Sequence, residues 1–264
     1  MDNLRVTAIQ TALHWEDAVA NRAMLEEKIG AIGQPTDVIL LPEMFTTGFT
    51  MNAAALAEPM NLVTTRWMKQ MADRTGALII GSVIITSADR FLNRLVWMEP
   101  GGLMKTYDKR HLFRMAKEHA VFTGGDQRLV GAWKGWRICP LVCYDLRFPV
   151  WSRNRFDAAA HALDYDLLVY VANWPQARVS AWDALLRARA IENLSYAAGV
   201  NRTGPDGQGV VYNGHSAVID PRGNAVWSAG DEETVQTVVL DAGLLREHRE
   251  RFPAYLDADD FRLG

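Results

Sequence analysis

The chain has 264 residues, 49% of them hydrophobic and 22% charged, and a net charge of −3. This composition suits a globular protein able to bury a sizeable core. The 28 basic residues are scattered, which leaves no electrostatic footprint for nucleic acid and points to small molecules as partners. The N-terminus, Met1-Asp2-Asn3-Leu4-Arg5, lacks a charged segment followed by an apolar one. The longest apolar runs, Ala77–Ile85 and Leu167–Ala172, have only strand length. No secretory signal and no membrane span are expected, and a cytoplasmic location follows. Two cysteines exclude a disulfide framework. On one strand, Cys139 and Cys143 stand about 13 Å apart at ~3.3 Å per residue, so both are expected as free thiols. No histidine falls at zinc-like spacing around them, and no metal is expected.

Strands and helices alternate along the chain. Leu4–Gln10 reads as a strand, followed by an amphipathic helix over Asp17–Ile32 that buries Ala18, Leu25, Ile29 and Ile32. Val38–Leu41 is a short apolar strand, Thr64–Arg74 a helix stopped by Gly76, and Ala77–Thr86 a buried strand. The turn dipeptide Pro100-Gly101 separates strands at Arg90–Glu99 and Gly102–Asp108, which predicts an antiparallel hairpin. In the second half, strands are expected at Trp136–Cys143, Asp166–Ala172 and Leu194–Asn201, with helices at Pro149–Phe156 and Ser180–Asn193 between them. Strands at Val210–Asp220, Gly223–Ala229 and Glu233–Leu240 follow, with Pro221-Arg222-Gly223 as a turn. Because each half ends in hairpins, layered helices and mixed sheets fit better than a doubly wound parallel sheet. No low-complexity linker interrupts residues 1–264, which read as a single α+β domain.

Three segments carry the chemistry. The strand ending at Val142 delivers Cys143 to a polar turn, where a sulfur is accessible to substrate. Glu43 ends the apolar segment Val38-Ile39-Leu40-Leu41-Pro42, and Lys109 follows Tyr107-Asp108. A thiol with a pKa near 8.5 is mostly protonated at neutral pH, so Cys143 needs a base, which Glu43 supplies. Attack on an amide then creates an oxyanion, for which Lys109 and the backbone N–H of Tyr144 are natural donors.

The segments Leu40-Leu41-Pro42-Glu43-Met44-Phe45, Tyr107-Asp108-Lys109-Arg110-His111-Leu112-Phe113 and Cys143-Tyr144-Asp145-Leu146-Arg147-Phe148-Pro149 resemble the three signature blocks of the nitrilase superfamily of carbon–nitrogen hydrolases. They match in order and spacing, over nearly the whole chain. Within that superfamily the chain looks most like the omega-amidases, through Arg114-Met115-Ala116-Lys117-Glu118-His119, Ala172-Asn173-Trp174-Pro175, Gly214-His215-Ser216 and the tail from Arg251 to Phe261. The resemblance implies an αββα sandwich that dimerises into four layers, no cofactor, and hydrolysis of the terminal amide of a small 2-oxo acid such as 2-oxoglutaramate or 2-oxosuccinamate. It also implies that Glu118 positions the lysine or the substrate. Phe113 and Trp174 are the candidates for the wall of a small pocket holding the anion. Residues 249–264 mix aromatic side chains with charges and a proline, and are expected to lie across a partner subunit.

Other readings compete at each position. Cys139 has no supporting partner and reads as a packed thiol. Taken singly, Glu43 is a strand-end carboxylate, Lys109 a solvated loop charge and Glu118 the start of a turn. His215 with Asp220 would make a Cys-His hydrolase, although a structural histidine fits its strand pattern better. Arg189 and Glu192, at i and i+3 on a helix, should pair for structure. A nitrilase or an N-carbamoyl-amino-acid hydrolase would share the three signature positions, and a non-catalytic binding protein is the reading without chemistry.

Overall fold

In the computed structural model, which describes residues 1–259, two six-stranded mixed sheets pack face to face between helices. The first half supplies β1 (Leu4–Gln10), α1 (Ala18–Gly30), β2 (Val38–Leu40), α2 (Ala53–Leu56), α3 (Val63–Thr75), β3 (Leu78–Ser87), β4 (Arg90–Met98), β5 (Met104–Asp108) and α4 (Glu118–Val121). The second supplies β6 (Gly131–Trp133), β7 (Trp136–Val142), α5 (Pro149–Ser152), β8 (Phe156–Asp157), β9 (Ala162–Leu163), β10 (Leu167–Ala172), α6 (Val179–Glu192) and β11 (Tyr196–Asn201). It continues through β12 (Thr203–Pro205), β13 (Val211–Asn213), β14 (Ala217–Ile219), β15 (Ala225–Ser228), β16 (Thr234–Leu240) and α7 (Ala242–Arg251). The sheets run β16-β1-β2-β3-β4-β5 and β15-β14-β11-β10-β7-β6, so β16 crosses back to close the edge of the first sheet. This is the α+β sandwich expected from the mixed strand and hairpin order.

Period-2 alternation divides the first sheet between two cores. Leu4, Val6, Leu40, Leu78, Ile80, Leu95 and Trp97 point into the layer shared with Ile138, Val142, Val169 and Val171 of the second sheet. Ile9, Ile39, Ile79, Val83 and Val96 point the other way, onto Leu25 and Ile29 of α1 and Met68, Met71 and Ala72 of α3. Asp17 caps α1 by accepting from the Val19 and Ala20 N–H groups, and Gly76 ends α3 in the left-handed conformation. Ala18 and Ile32, expected in the buried stripe, are only partly covered; Asn21 is fully buried instead, bonding His14 and Thr46.

Two expected elements differ, and one strand was not expected. The strand Val210–Asp220 breaks at Gly214 and His215, whose φ angles are +70° and +59°. The helix Pro149–Phe156 stops after one turn because Asn154 turns inward, bonding Asn193 and the Tyr165 backbone. The three-residue strand β6 gave no sequence signal, being too short for a period to show. In the tail, Arg249 bonds Asp166 and the Leu194 and Tyr165 carbonyls, and Tyr255 lies 4.8 Å from the Phe156 ring of the same chain. Phe252 and Leu256 are exposed. Residues 260–264, including Phe261, lie outside the described residues.

β2 and β5 share one direction in the first sheet, since β4 is antiparallel to both β3 and β5 while β2 and β3 are parallel. β7 and β10 are parallel neighbours in the second. Each of these strands therefore delivers the residue beyond its C-terminal end to an edge of its sheet, the usual location of a site in open sheets.

Candidate active site

Glu43, Lys109, Cys143 and Asn173 follow β2, β5, β7 and β10 respectively, and the structure brings all four together. Close packing fixes the first two segments. A Cβ on Gly81 would lie 2.8 Å from the Phe45 ring and 2.9 Å from Leu41 Cβ, so only glycine lets the Glu43 segment settle on β3. A Cβ on Gly125 would lie 2.4 Å from the Asp108 carbonyl oxygen, beside Lys109.

Lys109 Nζ donates to Glu43 Oε1 at 2.8 Å and to both Glu118 oxygens at 2.9 Å. The solvated-lysine reading is thereby excluded, because Lys109 is buried with both carboxylates; Glu118 does open α4, and its side chain turns inward onto the lysine. Asn93 Nδ2 bridges the two carboxylates, at 2.8 Å from Glu43 Oε1 and 3.2 Å from Glu118 Oε1. The Phe113 N–H adds a 2.6 Å bond to Glu118 Oε2. Burial opposes the charge on Lys109, yet Glu118 and Glu43 outweigh it and hold the ammonium above its ordinary pKa. Burial pushes the Glu118 carboxyl up, Lys109 opposes that, and Glu43 adds to it. Two carboxylates thus face one cation.

Cys143 opens the short helix after β7 with φ +42°, a conformation that costs a non-glycine residue energy and recurs at functional turns. Burial first, and then the Glu43 charge, pushes its thiol well above the ordinary value, so sulfur keeps its proton at rest. The thiol donates to the Asn173 carbonyl at 3.7 Å, while the Asn173 N–H donates to Glu43 Oε2 at 2.9 Å and its side chain to the Glu43 carbonyl at 2.5 Å. Asn173 therefore spans base and nucleophile. Asp145 ties the cysteine turn to the lysine segment, accepting from the Val142 N–H at 3.0 Å, Tyr107 Oη at 2.7 Å and the His111 N–H at 3.1 Å. Asn93, Asn173 and Asp145 were missed in the sequence; the last two stand inside quoted blocks, and nothing marked Asn93.

Lys109, Cys143 and Asn173 line a cleft of about 160 Å³ together with Phe113 and Trp174, the two wall candidates, and Phe49, Tyr144, Arg147 and Arg178. Cys139 is a fully buried free thiol level with Leu168 of β10, on the face of β7 turned away from the first sheet, and burial pushes it up to about 12. His215 does not line the cleft; its ring faces Asp183 at 3.1 Å and Asp231 at 3.4 Å, while Asp220 caps the Pro221-Arg222-Gly223 turn. The Cys-His-Asp arrangement is not formed. Arg189 pairs with Glu192 at 2.9 Å, as the spacing suggested. No group of three or more His, Cys, Asp or Glu among the described residues could hold a metal.

A base, a cation and a thiol in one buried site are the parts for acyl transfer. The carbon–nitrogen hydrolase model matches residues 5–250. The chain belongs to the carbon–nitrogen hydrolase family. Among curated members of that family it is 49% identical to the omega-amidase YafV of Escherichia coli K12 over 265 residues, covering all of both chains. It is 34% identical to the 2-oxoglutaramate amidase of Bacillus subtilis, over 86% of this chain and 85% of that one. A crystallised carbon–nitrogen hydrolase superfamily protein, XC1258 of Xanthomonas campestris, superposes with a TM-score of 0.98 at 48% identity over all of both chains, and carries an arsenic adduct in its active site.

Proposed function

We propose that this hydrolase is an omega-amidase, converting the terminal amide of a small 2-oxo acid such as 2-oxoglutaramate or 2-oxosuccinamate to the dicarboxylate and ammonia. The observation that carries the reading is the Glu43–Lys109–Glu118 cluster, with its carboxylate beside the protonated Cys143 thiol, at the floor of a small aromatic cleft. The full-length likeness to enzymes of that name supports the substrate class.

As the amide carbon reaches sulfur, the thiol proton passes to Glu43 and the S–C bond forms. Negative charge grows on the carbonyl oxygen, which takes hydrogen bonds from Lys109 and from the Tyr144 N–H, at the start of a helical turn where N–H groups lack intrahelical acceptors. Glu43 returns the proton to nitrogen, the C–N bond breaks, and ammonia leaves a thioester on Cys143. Water then attacks the thioester carbon as Glu43 takes its proton. The C–S bond breaks, and that proton restores the thiol. Glu118 holds Lys109 in place and lets Glu43 act without losing the lysine. A second carboxylate on the ammonium is what makes that division of labour feasible.

The enzyme acts as a single-domain subunit of a cytoplasmic homodimer, in which the described part of the tail, from residue 249 to residue 259, contacts the partner. The exposed Phe252 and Leu256, and Ile191 on the outer side of α6, support this. Incubation with 2-oxoglutaramate should release ammonia and 2-oxoglutarate and load Cys143 with an acyl group visible by mass spectrometry. Turnover confined to nitriles or carbamoyl amino acids would overturn the assignment.

A further inference from the structure

We infer that Tyr212 receives the amide N–H of the substrate, with Asp206 as the positioning residue that aims its hydroxyl, so that the cleft selects a primary amide over other acyl groups of similar size. This rests on the omega-amidase reading and names a determinant which that reading leaves open. Both side chains line the cleft that also contains Cys143, Lys109 and Asn173. They come from the hairpin of β12 and β13, a two-stranded sheet that stands apart from the two large ones.

The surroundings of Tyr212 set the direction of its O–H. Asp206 Oδ1 accepts from the Gln208 N–H at 2.9 Å and the Val210 N–H at 3.0 Å, which closes the turn of the hairpin, and Tyr212 Oη donates to Asp206 Oδ2 at 3.1 Å. The phenol proton is thereby committed to Asp206, and a hydroxyl in that state offers only lone pairs to a further partner. Burial first, and then the Asp206 charge, hold the phenol well above its ordinary pKa, and the Cys143 sulfur adds to the rise, so the group stays neutral beside the substrate. The ring is held as well. Arg202, fully buried, sets its guanidinium 4.8 Å from the Tyr212 ring centroid and donates to the Thr203 and Pro205 carbonyls at 3.2 and 3.0 Å.

The donors and acceptors of the cleft divide in a way that fits this role. The side chains of Lys109, Arg147 and Arg178 only donate. In a 2-oxo acid amide the carboxylate, the oxo oxygen and the amide oxygen only accept, and the NH2 alone donates. Acceptors in the lining are fewer. Asn173 turns its carbonyl to the Cys143 thiol at 3.7 Å, Gln208 is exposed at the turn, and no hydrogen bond among the described residues fixes the Tyr144 hydroxyl. Tyr212 is the hydroxyl that is both buried and oriented as an acceptor. The charge pattern agrees. Asp206 is the one carboxylate in the lining among the described residues, and it repels the anionic end of the substrate while suiting its NH2. A cleft of about 160 Å³ leaves little distance between an acyl group on Cys143 and its walls. As nitrogen takes the proton from Glu43 its N–H bonds become stronger donors, so the bond to Tyr212 tightens while ammonia departs, which is where binding assists the rate.

The test compares 2-oxoglutaramate with the 5-methyl ester of 2-oxoglutarate, which keeps the carboxylate and the oxo group but has no N–H on its leaving group. Steady-state kcat/KM is measured for both in wild type, Tyr212→Phe and Asp206→Asn. Tyr212→Phe should lower the value for the amide by about 10- to 100-fold, chiefly in kcat, and that for the ester far less. In Asp206→Asn the carboxamide oxygen takes the turn N–H groups and its NH2 faces Tyr212, whose O–H then turns into the cleft as a donor. The amide-to-ester ratio should fall there too, with the tyrosine still in place. The ester also controls for folding, since a loosened wall slows both substrates alike. A ratio unchanged in both variants, or losses shared equally by amide and ester, overturns the inference and leaves the omega-amidase reading standing. A wild type inert on 2-oxoglutaramate overturns both.

Discussion

Replacing Glu43 by glutamine removes a charge and a proton acceptor at constant size, and the bonds on the carboxylate set the outcome. Oε1 accepts from Lys109 Nζ and Asn93 Nδ2, each at 2.8 Å, and Oε2 from the Asn173 N–H at 2.9 Å. A carboxamide has one acceptor oxygen; turned toward Lys109 and Asn93, its NH2 meets the Asn173 N–H donor to donor, in a site closed to water. An orphaned buried donor costs about 1–3 kcal/mol, which lowers Tm by several degrees. Loss of the base is the larger effect. A positioned general base contributes roughly 10²–10⁴ in rate, or about 3–5 kcal/mol of transition-state stabilisation. Turnover by E43Q should thus fall by at least about 10² while the protein remains folded. Rapid-quench mass spectrometry during ammonia release should find little acyl-Cys143, because one carboxylate serves both halves of the reaction. Near-native turnover, or normal acylation followed by stalled hydrolysis, refutes that double role.

Further outcomes follow from the same geometry. Cys143→Ala and Cys143→Ser should fold yet lose nearly all turnover, whereas Cys139→Ala should stay active at a modest stability cost; the reverse pattern in an ammonia assay would exchange the two thiols. Because Cys139 is raised from 9.0 to about 12, its contribution is complete below pH 9 and lost as pH climbs toward 12. Urea titrations should show wild type losing roughly 1 kcal/mol more than Cys139→Ala between pH 8 and pH 10, and equal losses would contradict the burial argument. Lys109→Arg should cost at least about 10² in kcat, since a planar guanidinium cannot sit between Glu43 and Glu118 as a compact ammonium does; steady-state kinetics near wild type would argue against the role. Deleting the residues after Arg249 should move the dimer toward monomer at low concentration, and an unchanged mass by light scattering would count against that role of the tail.

Glu43, Lys109 and Cys143 were legible because each follows an apolar run of strand length, and a polar residue at such a boundary stands out. Glu118 was legible only through the resemblance. Asn93 was hidden for a physical reason: within the alternating strand Arg90–Glu99 a single asparagine looks like an outward-facing residue. Its burial depends on carboxylates 50 and 25 residues away, which no local window contains. Arg147 and Arg178 had the look of surface charges, and only the shared cleft sets them apart. The strand expected across Gly214 and His215 failed similarly, since β propensity continues through a backbone that the Asn201 and Gln10 side chains turn aside.

Glu43 and Lys109 follow strands of one sheet, and Cys143 and Asn173 strands of the other, so the first pair comes from the first half of the chain and the second pair from the second half. Neither half holds a working set of groups, so hydrolysis is a readout of docking between the layers and not of either layer's integrity. A chain cut in the Thr123–Gln127 connection would be inert as separated pieces and would regain activity only as the pieces reassociate. During synthesis, the reactive thiol emerges before its sheet is complete, but meets its base only once the halves have closed on each other.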